Sequence, residues 1–208
     1  NNINMFFLDN QDLTNKKAII RVDLNVPLDK NNNVTDTTRI EACIETVDKV
    51  IKLGGSCILL SHLGRPKGKD DKLSLKHIVD TVSLILKRPV AFHKDCIGSE
   101  AELATSLLRP GQIMLMENVR FYEEETDGDT GFAQSLSKLG DIYINDAFGT
   151  CHREHSSTAV ISKFFPGKKF AGKLLQKELE VISQIAEEGK KPVLAIVGGA
   201  KVSSKLKI

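Results

Sequence analysis

Short runs of apolar, often β-branched residues alternate along this chain with longer stretches in which apolar residues recur three or four positions apart. That alternation is the pattern of βαβ units and a largely parallel sheet. Strands are predicted at 18–23, 57–61, 89–92, 113–116 and 141–145. Between the first two strands, Ile40, Cys43, Ile44, Val47, Val50 and Ile51 mark one helix face, which Gly54-Gly55 brings to an end. Further helices are predicted from Ser74, a plausible N-cap, to about Lys87, then over 99–108 and 132–139. Beyond Pro166-Gly167, an amphipathic helix runs through Leu174, Leu175, Leu179, Ile182 and Ile185 and ends near Glu187-Glu188-Gly189. A buried strand at 192–197 then leads directly into Gly198-Gly199-Ala200-Lys201.

These elements predict an α/β fold for 1–172, a Rossmann-like three-layer αβα sandwich with a mainly parallel sheet. A helix at 173–190 and a strand with a glycine turn at 191–208 follow. A strand needs neighbours to bury it, so the last segment is expected to begin a second α/β domain; the competing arrangement adds that βα unit to the first sheet. The sequence shows no internal repeat and no low-complexity tract.

The composition fits a chain that folds: 208 residues, 41% hydrophobic and 27% charged. A formal net charge of +2 is too small for a general electrostatic case for nucleic acid or membrane, so the placement of charge matters more than its total. The four cysteines, at 43, 57, 96 and 151, form no C-x-x-C pair and are expected to stay reduced. Residues 1–7 lack a basic, apolar secretion signal, and no apolar run has membrane-spanning length. A cytoplasmic setting is therefore expected, with the sequon Asn33-Val34-Thr35 a chance match.

In a parallel α/β sheet, ligands bind beyond the carboxyl ends of the strands. The first strand delivers Asp23 and Asn25 there, the second His62 and Arg65, the fourth Glu117, Asn118 and Arg120, and the fifth Asp146, His152, Arg153 and His155. Arg39, at the start of the first helix, belongs to the same side. An arginine in a loop is usually a solvated group, but topology would bring Arg39, Arg65, Arg120 and Arg153 to one rim. Their repulsion there calls for an anion, since guanidiniums donate bidentate hydrogen bonds to phosphate and carboxylate. Asp23 and Asn25 suit substrate hydroxyls, or Asp23 pairs with one of the arginines. The histidines could be acid–base groups, anion-binding imidazoles or packed residues; His152-x-x-His155 has no partner at zinc-ligand spacing, so no metal site is expected. The turn at 198–205 should open a helix whose N–H groups favour phosphate, with Lys201 and Lys205 on one face, although it is neither a P-loop nor a dinucleotide fingerprint.

Several of these segments resemble one family. Arg21-Val22-Asp23-Leu24-Asn25-Val26-Pro27-Leu28, Ser61-His62-Leu63-Gly64-Arg65-Pro66, Glu117-Asn118-Val119-Arg120-Phe121, Asn145-Asp146-Ala147-Phe148-Gly149-Thr150 with His152-Arg153 and His155-Ser156-Ser157, and Gly198-Gly199-Ala200-Lys201-Val202-Ser203 are similar, in order, to motifs of the phosphoglycerate kinase family. The resemblance implies two α/β domains joined by a hinge helix, a cytoplasmic monomer, and no nucleic-acid or membrane partner. It further implies that 3-phosphoglycerate or 1,3-bisphosphoglycerate binds through Asp23, Asn25, Arg39, His62, Arg65, Arg120 and Arg153. Mg-ATP or Mg-ADP would meet Gly198, Gly199, Lys201 and Lys205, although most of the nucleotide pocket belongs to a half with no counterpart here. Arg39 and Lys205 would be catalytic, stabilising the migrating phosphoryl group without a covalent intermediate. Ser204 departs from the aspartate that many members carry. This chain is thus expected to bind the acid sugar but to turn over poorly or not at all. Two alternatives are a non-catalytic anion- or nucleic-acid-binding α/β module and a scaffold whose arginines pair with surface carboxylates.

Overall fold

The computed structural model describes residues 7–150 and 153–188. Its six strands are β1 (Lys17–Val22), β2 (Ser56–Leu60), β3 (Val90–His93), β4 (Ile113–Met116), β5 (Ile142–Asp146) and β6 (Lys169–Ala171). They form one sheet of order β3-β4-β2-β1-β5-β6 in which every pair is parallel. Parallel strands cannot be joined by tight turns, and the helical crossovers that join them cover both sheet faces.

The side-chain alternation of the strands builds two cores. Ala18, Ile20 and Val22 of β1 face one side, together with Cys57 and Leu59 of β2 and Ile142 and Ile144 of β5. Against them pack α2 (Ile44–Lys52), through Val47 and Val50, and α3 (Val79–Leu86), through Val82 and Leu86. Ile19, Ile58, Leu60, Met114, Met116 and Tyr143 face the other side, against Ala101 of α4 (Ser99–Ser106) and Phe132, Ala133 and Leu136 of α6 (Thr130–Ser137). Both cores contain fully buried aliphatic side chains, each contributing about 1.5–3 kcal/mol. The expected three-layer αβα sandwich is present.

Local structure departs from the periodicity in three places. The first predicted helix is broken at Cys43 into α1 (Thr38–Glu41) and α2. Ser74 accepts a hydrogen bond from the Lys76 N–H, but it caps a 3₁₀ turn, Leu75–Ile78, that leads into α3. A short helix α5 (Glu124–Asp127) and the edge strand β6 carry too few residues to show a period. Phe7 pairs with Ala171 beyond β6 and shields that sheet edge.

The last described helix, α7, runs over Lys173–Glu188. Compact units divide within it, one being Asn1–Lys177 and the other Glu178–Ile208. The strand predicted at 192–197 and the turn after it lie outside the described residues, as do Cys151 and His152.

Candidate functional site

At the carboxyl edge of the sheet, the crossovers of two adjacent strand pairs, β2 with β4 and β1 with β5, leave on opposite faces. The segments after β1 and β2 pack on the α2–α3 side, and those after β4 and β5 on the α6 side. Such reversals open crevices between adjacent strands. One is a cleft of about 400 Å³. Its walls carry Arg65 and Lys67 from the loop after β2, Arg120 and Tyr122 from beyond β4, and Arg153 and His155 from beyond β5.

Three of the expected arginines thus meet, on loops tied to one another. Asn118 Oδ1 accepts the Arg120 N–H at 3.0 Å, and Asn118 Nδ2 donates to the carbonyls of Leu63, at 2.8 Å, and Leu73, at 2.9 Å. Arg120 Nη1 donates to the Gly64 carbonyl at 2.8 Å. The Glu117 carboxylate accepts from Ser74 Oγ at 2.6 Å, Leu75 N–H at 2.9 Å and Asn118 N–H at 2.7 Å, so it braces the loops instead of facing a ligand. Burial, together with the charges of Arg21, Arg153 and Arg65, pulls the Arg120 pKa down against an opposing pull from Glu125. A guanidinium does not give up its proton at neutral pH, and the neighbouring charges of Arg21, Arg153 and Arg65 make this a positive site whose repulsion an oxyanion would relieve.

Arg39 sits elsewhere. It lines a smaller notch with Asp23, Cys43, Asp146 and Gly149 and is ion-paired to Asp23, the alternative left open for that carboxylate. Asn25 is also engaged, its Oδ1 accepting the Gly64 N–H at 2.7 Å. His62 is almost fully buried, and its Nδ1 lies 3.0 Å from Arg21 Nη2. Burial, and then the charges of Arg21, Arg120, Arg39 and Arg153, push its pKa down to about 2, so the ring is neutral at physiological pH.

Asp146 follows β5 but does not reach the rim. It is 1% exposed, and Oδ1 accepts the N–H of Leu174 at 3.0 Å at the start of α7. Gly172 gives the helix no capping side chain, so a distant carboxylate supplies the cap. A Cβ at Gly172 would collide with that carboxylate. His152, Gly198, Gly199, Lys201 and Lys205 lie outside the described residues. Among the described residues, no cluster of His, Cys, Asp and Glu could hold a metal ion, and no helix is long and apolar enough to cross a membrane.

A family model described as phosphoglycerate kinase matches residues 8–208. The chain belongs to the phosphoglycerate kinase family. It is 50% identical to the phosphoglycerate kinase of Azorhizobium caulinodans over 201 residues, which are 97% of this chain and 50% of that protein. The solved phosphoglycerate kinase of Coxiella burnetii superposes with a TM-score of 0.84 at 37% identity, covering 96% of this chain and 50% of that one. For the Pyrococcus horikoshii enzyme the TM-score is 0.86 at 29% identity, covering 97% and 51%. The chain therefore spans about half the length of the phosphoglycerate kinases it matches.

On this phosphoglycerate kinase fold, the sequence reading passed over a buried group behind the cleft. Arg21 lies in β1 with no exposure, donating through Nε to Ser157 Oγ at 2.8 Å and through Nη1 to the Val22 carbonyl. Ser157 in turn donates to Glu125, which is also fully buried, from Oγ at 2.6 Å and from its N–H at 2.9 Å. The available signal was an arginine inside an otherwise apolar strand, a position that requires internal partners.

Proposed function

We propose that this chain forms the acid-sugar-binding half of a phosphoglycerate kinase, which moves a phosphoryl group reversibly between 1,3-bisphosphoglycerate and ADP, giving 3-phosphoglycerate and ATP. The observation that carries this reading is the meeting of Arg65, Arg120 and Arg153 in one cleft of a chain of this family. Planar guanidiniums donate paired, charge-assisted hydrogen bonds to phosphate oxygens, so the cleft takes the 3-phosphate. His62 holds the carboxyl end of the substrate, and Asp23 and Asn25 orient its hydroxyl. Both of the latter groups also have internal partners, Arg39 for Asp23 and the Gly64 N–H for Asn25. Substrate binding therefore exchanges those partners, and release from Asp23 frees Arg39 for the migrating phosphoryl group.

In the reaction, an oxygen of the ADP β-phosphate forms a bond to the phosphorus as the bond from phosphorus to the acyl oxygen breaks. The electron pair of that bond stays on the carboxylate of 3-phosphoglycerate. Such transfers depend on positioning and on stabilising charge at the equatorial oxygens, the part assigned to Arg39 and Lys205. Mg-ADP or Mg-ATP supplies the second substrate; Gly198, Gly199, Lys201 and Lys205 are the residues of this chain proposed to meet its phosphates. In sequence, the helix α7 precedes those residues. We place the protein in the cytoplasm, in keeping with the free, buried thiols of Cys43, Cys57 and Cys96, and propose that it is a monomer.

An NMR titration with 3-phosphoglycerate tests the assignment. Amide shifts should concentrate at 62–65, 118–122 and 153–155. Shifts confined to other surfaces, or saturation by oligonucleotide with a steep salt dependence, would reject it.

A further inference from the structure

The buried chain behind the cleft has a direction, fixed by what each group can donate. A guanidinium has five N–H donors and no acceptor. The contact of 3.0 Å between Arg21 Nη2 and His62 Nδ1 is therefore a donation from the arginine, and Nδ1 must be bare. The imidazole hydrogen then resides on Nε2. On its other side, Arg21 Nε donates to Ser157 Oγ, whose own hydrogen goes to Glu125 Oε1, while Glu125 Oε2 accepts the Ser157 N–H. With Glu125 ionised, each bond admits one polarity, so a sequence of donors ends on a carboxylate at one end and on a bare imidazole nitrogen at the other.

This chain links β1 to the segments that follow β2, β4 and β5. Arg21 belongs to β1, His62 follows β2, and Ser157 lies beyond β5, where Ser156 Oγ donates to the carbonyls of Glu124, at 2.8 Å, and Asp129, at 2.9 Å. Arg21 and Glu125 are both fully buried, and Ser157 stands between them, so neither charge is solvated and the serine couples them.

We propose that Glu125, Ser157 and Arg21 are positioning residues for the substrate site, locking His62 in the Nε2–H tautomer so that its ring offers an oxyanion a hydrogen-bond donor without becoming a cation. The proposal rests on the assignment of this cleft to an acid-sugar phosphate. It separates the work of the site: the arginines supply charge, and His62 supplies a directed donor that does not change with pH. The charges of Arg21, Arg120, Arg39 and Arg153 all disfavour a second proton on that ring, as does its burial.

The test is a long-range ¹H–¹⁵N correlation spectrum of the ¹⁵N-histidine-labelled chain, recorded without ligand across about pH 5 to 8, with the His62 signals assigned by their loss in His62→Gln. The wild-type ring should show a protonated Nε2 and a bare Nδ1 throughout. An Nδ1–H tautomer, or titration of His62 within that range, would overturn the proposal with no other variant required. In Ser157→Ala, His62 should show mixed tautomers or regain titration, and affinity for 3-phosphoglycerate should fall about tenfold or more. A Ser157→Ala chain that folds and keeps the wild-type tautomer, pH behaviour and affinity would remove Ser157 and Glu125 from the relay. Failure of the wild type to bind 3-phosphoglycerate, with the tautomer as expected, would count against the assigned ligand and leave the relay intact.

Discussion

Replacing Asp146 by asparagine should flatten the dependence of stability on pH. The Asp146 carboxyl is 1% exposed, and burial pushes its pKa up to about 6 against the hydrogen bonds that favour its charged form. The Thr46 side chain and the N–H groups of Leu175 and Leu174 supply those hydrogen bonds, and burial outweighs them. The unfolded value is near 3.8, so the folded chain holds this proton more tightly. Stability from this group is accordingly full below the unfolded pKa and is lost as pH rises through about 6. The shift is roughly two units, and at about 1.4 kcal/mol per unit the group contributes on the order of 3 kcal/mol less at pH 7 than at pH 4. Glu125, also raised by burial, acts in the same direction, so the informative quantity is a double difference. Urea unfolding followed by circular dichroism at both pH values, in wild type and Asp146→Asn, supplies it. The wild type should gain more stability on acidification than the variant, by about 2–3 kcal/mol. Equal gains in the two proteins would mean that Asp146 is not a buried, poorly compensated carboxylate, and its role as the cap of α7 would fall with it.

Gly172→Ala should destabilise the chain by about 2–4 kcal/mol, read as a lower melting temperature, because the added carbon meets the Asp146 carboxylate; an unchanged melting temperature would contradict that close approach. Cys43, Cys57 and Cys96 should resist alkylation in the native chain and react on unfolding, since burial raises all three thiol pKa values, that of Cys43 to about 12. Mass spectrometry after iodoacetamide treatment would show otherwise if native labelling appeared at any of them. In a chain that carries both halves of the family fold, Arg39→Ala should lower kcat by about 10²–10³. Unchanged turnover would take Arg39 out of the transition state.

The alternating apolar patterns located the five longer strands and the helices that cover them, because burial on one or both faces writes its period into the sequence. Features set by a few residues left no such trace. The break at Cys43 and the strand Lys169–Ala171 are tertiary outcomes, the latter fixed by pairing with β5 and Phe7. At the site, the rule that ligands lie beyond parallel strand ends picked out Arg65, Arg120 and Arg153 correctly as neighbours. It could not tell that Glu117 and Asp146 brace backbone, or that Arg39 pairs with Asp23, since connectivity fixes which loop a residue occupies but not where its side chain turns. Arg21 was legible only as an anomaly in an apolar strand, and its partners Ser157 and Glu125 lie 136 and 104 residues away along the chain.

Isothermal calorimetry with 3-phosphoglycerate tests the assignment of the cleft most directly. Wild-type chain should bind it saturably at one site, and Arg65→Ala with Arg153→Ala should together weaken binding by at least about a hundredfold, as expected for two lost charge-assisted contacts. An absence of binding, or affinity unchanged when both arginines are removed, would contradict the account.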